Sequence, residues 1–360
     1  LMDTPLAHDP ALWRSIAELG WTGIALPESV GGSGLGMVEL ALLLEEMGRG
    51  LYGGPFLASA GFAASMLLEA PPSAARDALL VRIADGSAIA ALAVTDDSGG
   101  AGTGAIAAEL VDGPSGPALC GHASFVLNGP VADLFVVVAR DLRAGRNGSV
   151  VVAVDGGAKG LEVRTLTAMD LTRRYARLGF ADTAPVAVLS EGSHADATVA
   201  RGLQVAQVAL AAEQIGAMQA AFDLAKDYVG QRVQFGRKIG SFQAIKHRLA
   251  DMMVVLEAAR SAVYYAACVV DEHRSGEGGA AAEAELAEAA AMVKVHCSSG
   301  FHDIAGNAIQ LHGGIGFTWE YDAHLFFKRA RATGNLLGSP QHHRERIAHL
   351  MGLDSPLEAP

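Results

Sequence analysis

The order of sequence textures predicts a mainly α protein with a central β-domain. Apolar residues recur at helical spacing from about Pro10 to Ser87. Short β-branched runs broken by Gly, Asp, Asn and Pro follow from Ala88 to about Ser190, and long alanine-rich helical patterns fill the chain from about Asp196. Breaks near Ser87 and within Glu191 to Ala195 divide the chain into an N-terminal helical domain (1–87), a middle β-domain (88–192) and a C-terminal helical bundle (193–360).

In the first region, "PALWRSIAELGW" starts on a proline, which suits the first turn of a helix, and "GMVELALLLEEMGRG" stops at glycines. In the second, "LFVVVAR", "SVVVAVD" and "PVAVL" read as strands. In the third, three segments read as long helices: "LQVAQVALAAEQIGAMQAAFDLAKDYV", "FQAIKHRLADMMVVLEAARSAVYYAACVVDEH" and "AAEAELAEAAAMVKVHCSSGFHDIAGNAIQLHGG". Short turns between them describe an antiparallel bundle. No repeat is found, and disorder is expected only in the last few residues.

Composition narrows the function classes. With 360 residues, 51% of them hydrophobic, the chain can bury a large core in two or three domains. No continuous apolar run approaches the roughly 18 to 20 residues of a membrane span, and no basic-then-apolar leader opens the chain, so neither insertion nor secretion is expected. The chain begins at Leu1 rather than Met, and native residues are expected before it. Cys120, Cys268 and Cys297 are odd in number and far apart, which argues against a disulfide framework or a zinc cluster and fits a reducing cytoplasm. A formal net charge of −12 disfavours a general nucleic-acid binder.

Several motifs fail on inspection. "GGSGLG" (31–36) and "GGAGTG" (99–104) match neither GxGxxG nor a P-loop and lack a strand-to-helix context, so they read as flexible turns. His342 and His343 are adjacent and cannot share a helical face as zinc ligands do; a solvated helix start is expected there. No GxSxG elbow is present.

Two segments carry chemistry. In "YVGQRVQFGRKIGSFQAIKHRLADM", glycines allow a turn, Arg232 offers a planar fork of donors and Phe235 a stacking surface. In "IQLHGGIGFTWEYDAHLFFKRA", a helix ends at Gly313 and Gly314, where bare backbone can approach a phosphate. Each alone also fits an ordinary helix C-cap with a surface arginine. Together they suit a phosphate attached to an aromatic ring.

These two segments, with "LWRSIAELGWTGIALPESVGGSGLG" near the N-terminus, resemble the signatures of the acyl-CoA dehydrogenase family, and the resemblance covers nearly the whole chain. It implies that family's fold: a helical N-terminal domain, a β-barrel-like middle domain and a C-terminal four-helix bundle. It also implies FAD bound across a subunit interface. Arg232, Phe235, Gln243, Gln310, Gly313 and Gly314 match the positions that grip the adenine and pyrophosphate end of a flavin whose ring lies mainly in the neighbouring subunit. Phe125, in Phe125-Val126-Leu127, matches the aromatic of the family's Trp-Ile-Thr contact to the ring.

The implied chemistry is removal of an α-proton from an acyl-CoA and transfer of the β-hydrogen as hydride to flavin. It needs a positioned carboxylate base. In most of the family this is the glutamate of a Tyr-Glu-Gly-Thr stretch; here that stretch reads "NLLGSP", and the glutamate position falls on Leu337. Some members place the base on the first bundle helix, where an ungapped count reaches Ala206. Neither is a carboxylate. Leu127 replaces the hydroxyl near flavin N5, and Asp96-Asp97 after Thr95 depart from Thr-Glu-Pro. Glu213 is the remaining candidate, two turns or roughly 10 Å from Ala206 along the helix. A structural role as an arginine partner or bundle contact is expected for it, and Glu320 and Asp322 are expected to be solvent-facing or structural.

Three readings follow from the resemblance. The first is the base-less subunit of a heteromeric, α2β2 acyl-CoA dehydrogenase of the kind found in bacterial steroid side-chain catabolism, whose paralogous partner supplies ring pocket and base. The second is a self-sufficient homo-oligomeric dehydrogenase with a non-standard base. The third is a non-redox module binding acyl-CoA or protein; the retained grip residues weigh against it. The family expectation for the electron acceptor is an electron-transfer flavoprotein, in lipid or steroid β-oxidation.

Overall fold

The computed structural model describes residues 2, 4, 6–100, 105–114, 116–276 and 278–353. The elements alternate as the textures predict: helices, then one eight-stranded sheet, then long helices. N-terminal helical, central sheet and C-terminal helical parts follow one another along the chain. Packing gathers the chain into two compact units, Leu1–Leu40 with Gly53–Ala209 and Leu336–Gly338, and Ala41–Tyr52 with Leu210–Asn335 and Ser339–Pro360.

The first unit begins with α1 (Pro10–Glu18), whose N-cap Asp9 accepts from the amides of Ala11 at 2.9 Å and Leu12 at 3.3 Å. Trp13 and Ile16 form its buried face, and the Trp13 indole donates to Gly86 O at 3.0 Å. Helix α2 (Met37–Arg49) follows, passing into the second unit after Leu40, and α3 (Ala64–Glu69) and α4 (Ala74–Ala84) continue the first unit. Between α1 and α2 the "GGSGLG" stretch is not the flexible turn expected from its composition. Ser33, Gly34 and Leu35 donate to the carbonyls of Gly23, Leu26 and Ile24, and a Cβ on Gly32 would lie 2.2 Å from Leu26 O. Its glycines allow close packing. In "GGAGTG", 101–104 lie outside the described residues, as does the end of the chain from 354.

The sheet comprises β1 (Ala90–Ala93), β2 (Ala108–Gly113), β3 (Gly116–Leu127), β4 (Leu134–Asp141), β5 (Ser149–Asp155), β6 (Leu161–Leu166), β7 (Tyr175–Thr183) and β8 (Ala187–Ser190). Its order is β6-β7-β3-β2-β4-β5-β8, with β1 added against β4. Pairing is antiparallel except where β4 meets β1 and β2. Strands β4 and β5 are nearly continuous buried runs rich in valine; Phe135 and their inward valines share one core with Leu110, Leu119 and Phe180. The β3–β7 pairing slips between Ala123 and Val126, a bulge that re-aims the intervening residues.

The second unit is built on the long helices α5 (Ser193–Gln231), α6 (Gln243–Ser275) and α7 (Gly279–His312), with α8 (Ala323–Gly334) and α9 (Pro340–Leu350). The boundary between units falls after Ala209, within α5. Glycines let α2 and α5 approach closely: a Cβ on Gly48 would lie 1.9 Å from Glu213 O, and one on Gly216 would lie 1.7 Å from Glu45 O. Arg260 of α6 donates to Glu45 at 3.1 Å and to Gln219 at 2.8 Å, and Tyr264 donates to Glu45 at 2.7 Å. One expectation is corrected here. His343, expected at a solvated helix start, is buried; α9 begins on Pro340, and its fourth residue turns into the bundle. Helix α6 is long and apolar enough to cross a membrane by length and composition, which a search for continuous apolar runs does not detect. Its buried stripe, Met252, Leu256, Ala259 and Val263 among others, belongs to a bundle helix packed along α7.

Candidate functional site

Where α5 ends, the chain doubles back as a hairpin, β9 (Val233–Gln234) pairing antiparallel with β10 (Arg237–Lys238). Phe235 and Gly236 form its two-residue tip with φ of 53° and 75°, both left-handed as a type I′ turn requires. Asn-Gly is the usual choice at such a tip. A phenylalanine there is strained, and its ring is 90% exposed. Arg232 anchors the hairpin through its backbone, its N–H donating to Tyr228 O and its carbonyl accepting from Ile239 N, both at 2.8 Å. Among the described residues no carboxylate pairs with its guanidinium. The Arg237 guanidinium lies 3.9 Å from the Phe242 ring centroid, and Phe242 meets the edge of Phe235 at 6.1 Å. Gln243 opens α6, exposed.

Helix α7 ends in the glycine turn. Gly313 takes φ 65° and ψ −145°, a conformation restricted to glycine, and donates to the carbonyls of Ile309 and Gln310. A Cβ built on Gly313 or Gly314 would meet no atom within 4 Å, so the backbone there faces open space. Gln310, Gly313 and Gly314 are all exposed. The Tyr228 and His312 rings stack at 4.3 Å, and Tyr321 meets their edges at 5.9 and 5.5 Å. Through this stack the hairpin and the glycine turn share one end of the second unit. An unpaired guanidinium, an exposed ring and open glycine backbone fit a pyrophosphate joined to an aromatic base.

The β-domain presents a different surface. Phe125, at the β3 bulge, has φ 56° and is 41% exposed. The hydroxyls around it are engaged: Thr95 Oγ1 donates to Ser124 O at 2.9 Å, and Ser124 Oγ donates to Asp97. Arg177 donates to both Asp97 oxygens, at 2.9 and 3.2 Å, and His122 Nε2 lies 3.2 Å from Asp97 Oδ2. The hydrogen bonds from Arg177 and Ser124 hold the Asp97 carboxyl down at about 2. Leu127 is buried and has no hydroxyl.

The two positions expected from the resemblance to carry a base, Ala206 and Leu337, both belong to the first unit. Gln207, next to Ala206, donates to Leu337 O at 3.4 Å, and Leu337 has φ 59°. Ala206 is fully buried. Glu213 belongs to the second unit, 3% exposed, with its carboxylate 3.8 Å from the Arg329 guanidinium, itself 1% exposed. Glu320 and Asp322 are exposed. Reading the sequence missed the partners of Asp97, which come from strands 25 and 80 residues away, and the stack on His312. An aromatic four residues before Arg232 and a histidine beside Gly313 were the available signals.

Family models for the acyl-CoA dehydrogenase N-terminal and C-terminal domains match 3–87 and 197–352. The chain belongs to the acyl-CoA dehydrogenase family, flavin-dependent oxidoreductases acting on acyl-CoA, with FAD as the family's cofactor. It is 33% identical to the acyl-CoA dehydrogenase IpdE2 of Mycobacterium tuberculosis, over 96% of this chain and 88% of that protein. The ChsE4–ChsE5 complex from Mycobacterium tuberculosis superposes with a TM-score of 0.84 at 25% identity, covering 99% of this chain and 91% of that one. Butyryl-CoA dehydrogenase from Megasphaera elsdenii superposes with a TM-score of 0.85 at 25% identity, covering 96% and 90%.

Proposed function

We propose that this chain is the subunit of a heteromeric, α2β2 acyl-CoA dehydrogenase that lacks the catalytic base and grips the adenine and pyrophosphate end of FAD. Arg232 would pair with the pyrophosphate, Phe235 lie against the adenosine, Gln243 and Gln310 donate or accept at its edges, and Gly313 and Gly314 let backbone approach the phosphates. Bound FAD supplies the hydride acceptor. The base and most of the ring pocket come from a paralogous chain, which also completes the acyl-CoA site. In this reading 1–87, 88–192 and 193–360 are the three domains, the compartment is the cytoplasm, and an electron-transfer flavoprotein takes the electrons.

The carrying observation is that Ala206 and Leu337, the two positions the resemblance assigns to the base, both lie in the first unit and neither is a carboxylate. Asp97, held at about 2, is too weak a base to substitute. A neighbour whose name is that of a two-protein complex supports the pairing. The second reading, a self-sufficient enzyme, is favoured by Phe125, which still presents an aromatic ring at the bulge.

Turnover of an acyl-CoA panel, including bulky steroid-like thioesters, with an artificial electron acceptor separates the two. The chain with added FAD is expected to run about 10² to 10⁴ slower than the assembly with its paralogue, the usual worth of a general base. Robust turnover by the chain alone would establish the second reading.

A further inference from the structure

We propose that His312 is a positioning residue: its ring, stacked on Tyr228, sets the spacing between the arginine hairpin and the glycine turn. The inference rests on reading those two turns as a grip for FAD. His312 is the last residue of α7, 4% exposed, and Gly313 follows it directly. Its Nδ1 lies 2.7 Å from Ala308 O, so Nδ1 carries a proton and the ring orientation is fixed on its own helix. The Tyr228 ring lies 4.3 Å away at 26°, with Tyr321 edge-on to both.

The connection to the hairpin is short. Tyr228 O accepts the Arg232 N–H at 2.8 Å, one helical turn further along α5. One covalent bond therefore joins His312 to the open glycine, and one hydrogen bond joins its stacking partner to the guanidinium-bearing residue. Pyrophosphate recognition needs the guanidinium and a closely approaching backbone at a set separation. A flat ring bonded to its own helix sets that separation; a branched aliphatic side chain lacks both the stacking face and the Nδ1 bond.

The test is a double-mutant cycle on the assembled flavoprotein, reading FAD dissociation by flavin fluorescence and Tm by circular dichroism. His312→Leu is expected to weaken FAD retention on the order of tenfold, the upper range for loss of one aromatic pair. His312→Phe, which keeps the stack, should restore most of it, and Tyr228→Leu should reproduce the loss from the other side. In an Arg232→Ala background, His312→Leu should add little, because its effect passes through Arg232. An equal loss in both backgrounds would make the role one of packing only and overturn the inference. Unaltered retention in His312→Leu, alongside a clear loss in Arg232→Ala, would overturn it as well. Unaltered retention in Arg232→Ala would overturn the reading of the hairpin itself, and the inference with it. Should His312→Leu prevent assembly, Tyr228→Leu in the two backgrounds decides by the same criteria.

Discussion

In the reading proposed above, the hairpin end of the second unit and the β3 bulge of the first are the two surfaces that would face a flavin, and they treat their polar groups differently. At the hairpin, Arg232 has no carboxylate partner among the described residues, Phe235 is held exposed in a strained conformation, and the glycines face open space. At the bulge, Thr95 and Ser124 have their hydroxyls engaged within the domain, and Asp97 accepts from Arg177 and Ser124. Backbone strain at Phe235 and open backbone at the glycine turn persist where a ligand repays them, whereas the bulge holds its acidic group with its own ion pair and hydrogen bonds. In the proposed reading the chain keeps one half of a flavin site, and the bulge holds Asp97 within its own ion-pair network.

Four measurements break or sharpen this contrast. The largest effect is expected at Glu213. If it is structural, Glu213→Ala removes the buried carboxylate facing the Arg329 guanidinium and destabilises the fold by roughly 3 to 5 kcal/mol, seen as a lower Tm. Were Glu213 a displaced base, the variant would keep its Tm and lose turnover, and the asymmetry between the two surfaces would disappear.

Arg232→Ala probes the open half directly. Removing one member of a charge pair that becomes buried in the assembly should weaken flavin retention by roughly 2 to 5 kcal/mol, with Tm of the flavin-free protein unchanged. Absorbance per assembled complex after dialysis measures it. Phe235→Asn separates strain from function at the hairpin tip: asparagine tolerates the left-handed region, so the flavin-free protein should gain up to about 1 kcal/mol in stability while the complex loses flavin. A variant that is both more stable and better at holding flavin would show the ring to be incidental.

The smallest effect is expected from the closed half. Asp97 has a folded pKa near 2, below the ordinary carboxylate value, so its contribution is complete above about pH 4 and is lost as pH falls from there through 2. Asp97→Asn should therefore lower Tm modestly at pH 5 to 7, with the two proteins converging near pH 2. A constant difference across that range would mean that the charge of Asp97 is not what ties the loop to β3 and β7.

Local chemistry determined much of this protein from the sequence alone. Alanine-rich 3.6-residue periodicity, β-branched runs and glycine or proline punctuation act within a few residues of themselves, so the helix, sheet, helix order is readable, as are strands such as 134–141 and 149–155. Residue types also marked the two turns with binding chemistry and showed that Ala206 and Leu337 carry no carboxylate. Composition misled where packing takes over: the glycines of 31–36 hold a tight approach, and His343 turns inward.

Only the tertiary structure decided which distant groups meet. Nothing in local sequence pairs Asp97 with Arg177 across 80 residues, Gln207 with Leu337 across 130, or Glu213 with Arg329. Nor does it show that Tyr228 and His312 stack to bring two separate turns together. Such contacts depend on helix phase, strand register and chain crossing summed over the whole fold, and a small rotation of one long helix would exchange which of its side chains is the partner.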